Sequence, residues 1–317
     1  MPSTTDAPAP FLRWAGGKRQ LVAVLQGFLP ADFDLARHRY FEPFAGGAAL
    51  LWALSGHPSA RDLPATSPKR RRRMVLNDVN GELATTYRVL QDDCEALIVR
   101  LEDMAGDVSE ERYYQVRAAT PADPVEVAAR LIYLNRTTFN GLYRVNRQGQ
   151  FNVPYGKLAN PTVCDAARLR ACSAWLRHVE VRSGSFVAAV NDARAGDVVY
   201  LDPPYIPLTA TASFAGYAKD GFGELDQWAL SGVVAGLSGR GVRVVMSNSC
   251  TETTSQVFGA QLDLYAVDAK RSIAASSSSR APVQEVVGVN FAAGECADPG
   301  LVRSLRQVSS RADGEVR

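Results

Sequence analysis

The chain has 317 residues, a net charge of +2, 46% hydrophobic and 21% charged side chains, which fits a folded protein with a sizeable core. No stretch approaches the roughly 18 uninterrupted apolar residues of a membrane span, and Met1–Pro10, without a basic start or an apolar run, reads as a loose tail and not as a signal peptide. Five scattered cysteines without a C-x-x-C pair and three distant histidines argue against a zinc site or a disulfide framework, so the expected setting is the cytoplasm and no metal is expected.

In chain order, Phe11–Gly17 is a loop rich in aromatic residues and glycine, followed by an amphipathic helix over about 18–28. Tyr40–Phe44 reads as a strand entering a Gly-Gly turn, with a helix over about 48–54 behind it. His57–Arg73, rich in Pro, Ser and Arg, reads as an inserted loop. Met74–Asn77 is a buried strand ending at Asp78. Residues from about 79 to 134 carry helical periodicity, broken near Gly106, Pro121 and Pro124. Val145–Phe151 has the pattern of a hairpin. Further strands are expected over 179–182, 198–201, 242–246, 262–267 and 284–290, with a helix over 225–237.

Strands alternating with helices predict an α/β fold with a doubly wound, mostly parallel sheet of Rossmann-like type. The helical and hairpin stretch interrupting that rhythm predicts an inserted lobe. The expected organisation is a tail over 1–10, a catalytic domain over 11–92 and 171–292, a recognition lobe over 93–170, and a polar, fraying end over 293–317. Val127–Cys164 has no acidic residue but contains Arg130, Arg136, Arg144, Arg147 and Lys157, a candidate phosphate-facing surface within a nearly neutral protein. A solvated basic face is the alternative. The run Lys69–Arg73 falls in a helix-to-strand connection, which should emerge at the amino ends of the strands, away from the ligand-binding end, and reads as structural or as a non-specific electrostatic element.

Three segments carry chemistry. Tyr40–Ala49 is a strand, a Gly turn and a helix, a geometry that lets a ligand approach the backbone; without G-x-G-x-x-G it does not favour a dinucleotide. Asp78, at the end of the next strand, suits a ribose acceptor or, equally on local grounds, a helix N-cap. The third is Val198–Tyr205, an apolar strand emptying into Asp202-Pro203-Pro204-Tyr205. Its prolines fix the backbone and withhold two N–H donors, leaving carbonyl acceptors beside a carboxylate. Asp202 and the Pro203 carbonyl can accept the N–H groups of a planar amine, drawing the nitrogen lone pair out of conjugation, and Tyr205 offers a stacking face for an extruded base.

Phe11-Leu-Arg-Trp-Ala-Gly-Gly-Lys18, the Glu-Pro-Phe-x-Gly segment, the long stretch Asn135–Gly156 and Asp202-Pro-Pro-Tyr205 stand in an order that resembles the Dam-type (class alpha) DNA adenine methyltransferases, over about 11–290. The resemblance implies methyl transfer from S-adenosylmethionine to the amino group of adenine in double-stranded DNA, at GATC or a related site, by base flipping. It implies that Trp14, Lys18, Glu42, Phe44, Gly46, Asp78, Phe186 and Asp202 hold the cofactor, and that Asp202, Pro203, Pro204 and Tyr205 form the catalytic corner. It implies DNA contacts from Arg13, Phe139, Asn140, Leu142, Arg144, Asn146, Pro154 and Lys157. A monomer is expected, and a cognate restriction endonuclease is a candidate partner. Two positions depart from the family pattern. Ala48 stands where a second glycine is frequent, and Lys157-Leu158 stands where GATC methylases often carry Arg and an aromatic residue; a lysine is a point charge and not a planar fork. The alternatives are a cytosine-amino methylase, which more often begins the corner with Ser, and a DNA-binding homologue without catalysis. A carbon-5 cytosine methylase would need a Pro-Cys nucleophile, and the chain has no such pair.

Overall fold

The computed structural model describes residues 7–63, 72–146, 148–205, 221–269 and 283–311. Among the described residues eight strands follow in chain order: β1 (Tyr40–Glu42), β2 (Met74–Asp78), β3 (Val179–Ser183), β4 (Val198–Leu201), β5 (Arg243–Ser249), β6 (Asp263–Ala269), β7 (Val283–Val289) and β8 (Arg306–Ser309). The helices are α1 (Val22–Gly27), α2 (Ala49–Ala53), α3 (Gly81–Asp92), α4 (Cys94–Ala105), α5 (Glu110–Ala118), α6 (Pro124–Thr137), α7 (Ala166–Leu176), α8 (Phe186–Ala189), α9 (Glu224–Gly239), α10 (Glu252–Phe258) and α11 (Pro299–Ser304). No helix among the described residues is long and apolar enough to cross a membrane. The chain divides into two compact units. One comprises the described parts of Met1–Gly17, Ala45–Ser185 and Gly216–Gly221, the other those of Lys18–Phe44, Phe186–Ala215 and Phe222–Arg317.

In the first unit β2 and β3 run parallel, from Met74 opposite Val179 to Asp78 opposite Ser183. Helix α3 starts where the Asn80 side chain accepts the Leu83 N–H, and its face of Leu83, Tyr87 and Leu90 is buried. It packs on α4, α6 and α7. Each such leucine contributes roughly 1.5–3 kcal/mol on burial. The expected helix breaks appear: α4 ends at Gly106, and α6 begins with the Asp123 carboxylate capping Glu126 ahead of Pro124, whose missing N–H costs nothing in a first turn. Residues 7–10 of the expected tail are described, and the Ala9 carbonyl accepts the Cys172 thiol at 3.2 Å. The segment 93–170, expected as a lobe of its own, falls in this unit together with β2, β3 and the stretch before Lys18.

In the second unit the strand order is β1-β4-β5-β7-β6-β8. β1, β4 and β5 are parallel, and β7, β6 and β8 extend them antiparallel. This is the mixed α/β fold that the strand and helix alternation predicts. β1 stops at Glu42, two residues short of the expected end, because Pro43 has no N–H to continue the ladder. β5 runs three residues past Met246 through Ser247, Asn248 and Ser249, polar but buried. The expected fraying beyond Ala292 is corrected over the described residues 293–311, and residues 312–317 lie outside them. The Ala297 and Asp298 N–H groups bond the Leu29 and Gly27 carbonyls, Val302 is buried, and β8 pairs with β6. A polar composition concealed this segment because its hold is mostly backbone hydrogen bonding.

Candidate active site

β4 is buried along its length and runs parallel to β5 with Leu201 opposite Met246, so Asp202 and Ser247 are the next residues on each strand. Carboxyl ends of parallel strands are where α/β sheets bind ligands. There the Ser247 hydroxyl donates to Asp202 Oδ1 at 2.9 Å and itself meets the Tyr200 hydroxyl at 3.0 Å. The Lys18 ammonium, only 5% exposed, pairs with the same Oδ1 at 2.8 Å. It also lies over the Tyr205 ring, 4.5 Å from its centroid. The Gln227 amide donates to the Pro204 carbonyl at 2.8 Å, pinning the proline turn to α9.

Tyr205 donates its hydroxyl to Glu285 Oε2 at 2.5 Å. Burial, then the negative charges of Asp202 and Glu285, raise the Tyr205 hydroxyl well above the ordinary tyrosine range, so it remains a donor. Burial also raises the Glu285 carboxyl, against the opposing pull of Lys18 and of the Tyr205 hydroxyl. In the same unit Glu42 is buried and accepts the Tyr40 hydroxyl at 2.8 Å. Phe44 stacks on Phe186 with centroids 5.3 Å apart, and Phe222 meets both edge-on. These carboxylates and aromatic faces suit a ligand with cationic groups and a planar base.

The first unit holds the remaining predicted cofactor residues. Asp78 accepts the Gly46 N–H at 3.0 Å through Oδ2 and the Asn80 N–H at 2.9 Å through Oδ1. The helix N-cap is Asn80, so of the two local readings of Asp78 the capping one is excluded. Burial raises the Asp78 carboxyl while those backbone donors act to lower it. The Tyr87 hydroxyl holds the Gly46 carbonyl at 2.7 Å. At Gly46, with φ +45°, a Cβ would come within 2.8 Å of the Trp14 ring, so the turn forms only with glycine against that indole. Trp14 in turn stacks on Tyr143, centroids 5.2 Å apart.

The hairpin forms as expected, with Val145 bridged to Phe151. Its exposed Arg144 donates Nε to Asn152 Oδ1 at 2.8 Å and Nη2 to the Asn152 carbonyl at 3.2 Å. Asn146, expected on DNA, uses its side-chain oxygen to accept the Gln148 and Gln150 N–H groups, each at 3.0 Å, and so builds the turn. Phe139 is 48% exposed, Asn140 adopts φ +55°, and Leu142 is half-buried. Pro154 and Lys157 are exposed, and the Pro154 carbonyl accepts the Phe139 N–H. Arg13 is exposed at its end while its stem crosses Gly141, where a Cβ would lie 2.6 Å from it.

Two arginines of the basic segment are corrected. Arg130 is 8% exposed and spends its guanidinium on the Val116 and Arg117 carbonyls and on Glu82. Arg136 donates to the Phe11 carbonyl at 2.6 Å. Both sit on α6 facing neighbouring backbone, which an absence of acidic residues in sequence could not reveal. Arg144 and Lys157 remain exposed, and Arg147 lies outside the described residues. Arg130→Ala is expected to lower stability by about 1–3 kcal/mol in denaturant titration, since it orphans the buried Val116 carbonyl and the part-buried Arg117 carbonyl, while water can meet Glu82, which is 40% exposed. The salt slope of DNA binding should not change. Of the run at 69–73, residues 69–71 lie outside the described residues, and Arg72 donates to the Val179 carbonyl and Gln91.

Sequence reading missed Ser247, Glu285 and Asn135. The last, buried at the end of α6, accepts the Arg13 N–H and donates to the Arg13 and Gly141 carbonyls. The polar Ser-Asn-Ser ending an apolar strand was the available signal for Ser247.

Residues 14–273 match the family described as D12 class N6 adenine-specific DNA methyltransferase. The chain is 36% identical over 290 residues to a type II methyltransferase of Lactococcus lactis subsp. cremoris, covering 89% of this chain and 95% of the relative. It is 35% identical over 253 residues to a type II methyltransferase of Methanocaldococcus jannaschii, covering 76% and 84% respectively. A DNA adenine methylase of Serratia marcescens is 31% identical over 289 residues, covering 88% and 97%.

Proposed function

The chain belongs to the D12 class of N6 adenine-specific DNA methyltransferases, and from that premise we propose that it methylates adenine within GATC, or a closely related site, in double-stranded DNA, acting on a base swung out of the helix. The observation that supports this reading best is the corner at Asp202. Lys18 and Ser247 both engage Oδ1, so Oδ2 is the oxygen that an incoming amino group meets. Asp202 Oδ2 and the Pro203 carbonyl accept the two N–H groups of adenine, which sets the nitrogen lone pair toward the methyl donor. Asp202 Oδ2 is also the first holder of the proton that the methylated amine must shed. Tyr205 is the platform for the flipped base.

The family's methyl donor is S-adenosylmethionine, and the residue types present fit it. The family resemblance would assign to it Glu42 and the Phe44–Phe186 pair of the second unit and, in the first unit, Asp78 and the glycine turn at Gly46. When bound it supplies a methyl group on a sulfonium, whose departure as a neutral thioether calls for no Lewis acid. The exposed residues Arg144, Pro154, Lys157, Phe139 and Arg13 support the hairpin as the DNA reader. A monomer acting in the cytoplasm is proposed, with a cognate restriction endonuclease as candidate partner.

The test uses purified protein, labelled S-adenosylmethionine and duplexes carrying GATC and each single-base variant of it, with and without chelator. N6-methyladenine is expected, fastest on GATC and unaffected by chelator. Methylation of the cytosine amino group, DNA binding without any transfer, or strict dependence on added magnesium would each overturn the reading.

A further inference from the structure

We propose that Glu285 is a positioning residue for the methyl transfer, its carboxylate holding the Tyr205 hydroxyl and thereby fixing the ring on which the target base stacks. The inference rests on the reading of Tyr205 as the base platform. Glu285 lies on β7 opposite Ser249 of β5, at the end of that strand which carries Ser247 and faces the Asp202 corner. The Tyr205 hydroxyl approaches it to 2.5 Å, the length of a strong charge-assisted O–H···O bond.

Tyr205 follows two prolines and lies outside any strand or helix, so no ladder restrains it. Its ring is held from the side chain outward, by Glu285 at the hydroxyl and by the Lys18 ammonium over the ring. The fold alone gives little reason for an acid at this place. A carboxylate taken out of water is unfavourable unless its partners compensate. The charged and polar groups that bear on Glu285 include Tyr205 and Asp202 of the catalytic corner and Lys18, which pairs with Asp202. A stacking platform tilted by even about 1 Å misaligns the amino group, and misplacement on that scale costs up to about 10² in rate.

The experiment is a double-mutant cycle on the full chain, read by single-turnover methylation, by KM for S-adenosylmethionine, and by emission of 2-aminopurine placed at the target adenine. Glu285→Ala and Tyr205→Phe are each expected to slow transfer by roughly 10- to 100-fold. The double variant should be no slower than either single one, with KM for the cofactor within about twofold. Glu285→Gln keeps an acceptor and should recover most of the loss. In Glu285→Ala the 2-aminopurine signal should rise above that of the native protein, because an extruded base with a loose platform is less quenched. Tyr205→Phe and Glu285→Gln preserve volume, so the proposal stays testable if the alanine variant does not fold. Additive losses, or a Tyr205→Phe rate within about threefold of native, overturn the role of Glu285. Native rate and emission in Tyr205→Ala would instead overturn the platform reading on which it rests.

Discussion

Asp202→Ala is expected to stop methyl transfer while S-adenosylmethionine still binds. Removing a preorganised acceptor from a site of this kind typically costs on the order of 10² to 10³ in rate. The loss here should sit at the upper end, because the alanine variant also leaves Lys18 buried without its carboxylate. That second effect bears on stability, so Asp202→Asn is the companion variant: it keeps the shape and the Ser247 hydrogen bond but gives up the charge. Calorimetric titration of cofactor and single-turnover methylation separate binding from chemistry. Near-normal turnover in both variants would remove Asp202 from the mechanism.

Arg144→Ala is expected to relax base preference at one position of the target, at a cost of about 1–3 kcal/mol for the preferred base pair. A two-stranded ribbon fits the major groove, and an arginine fork pairs there with guanine through two hydrogen bonds. The Asn152 side chain and carbonyl engage Nε and one hydrogen of Nη2, which leaves Nη1 and the rest of Nη2 as the donors that would meet a base under the proposed assignment. Lys157→Ala serves as the contrast. A lysine meeting phosphate weakens all sequences alike and removes about one unit from the salt slope. Rates across the single-base variants of GATC decide the assignment. Equal loss on every sequence in Arg144→Ala, with base preference retained, would show that it does not read the base directly.

The parts of this fold legible in the sequence were those written in local pattern. Val198–Leu201 is an apolar run closed by Asp-Pro-Pro, and both its strand and its turn follow from residue types alone. The hairpin at 145–151 follows from its Gly and Asn chemistry in the same way. Long-range partnership was not legible. Nothing near Glu285 in sequence points to Tyr205, eighty positions earlier. Arg130 and Arg136 look like surface charges until α6 turns them onto backbone carbonyls. The sequence pattern ends β5 at Met246, three residues early, because buried serine and asparagine read as loop residues unless their hydrogen-bond partners are known. The order of the segment after Ala292 is hidden for a related reason, its hold being backbone pairing and a few apolar contacts.

The clamp at Asn135 has a consequence for how such a protein can change over time. Its amide, the glycine at 141 and the Trp14–Tyr143 stack hold the reader in place from beneath, and none of them depends on which bases are read. The side chains that would face DNA at Arg144, Pro154 and Lys157 are exposed and contribute little to the packing of the unit. Mounting and lettering are thus carried by different residues. Substitutions among the exposed ones can move the chain from one target sequence to another in small steps, each leaving a folded protein for selection to act on. A substitution at Asn135, or at Gly141 where a Cβ would meet the Arg13 stem, disturbs the mounting itself, so what is read is free to vary separately from how the reader is held.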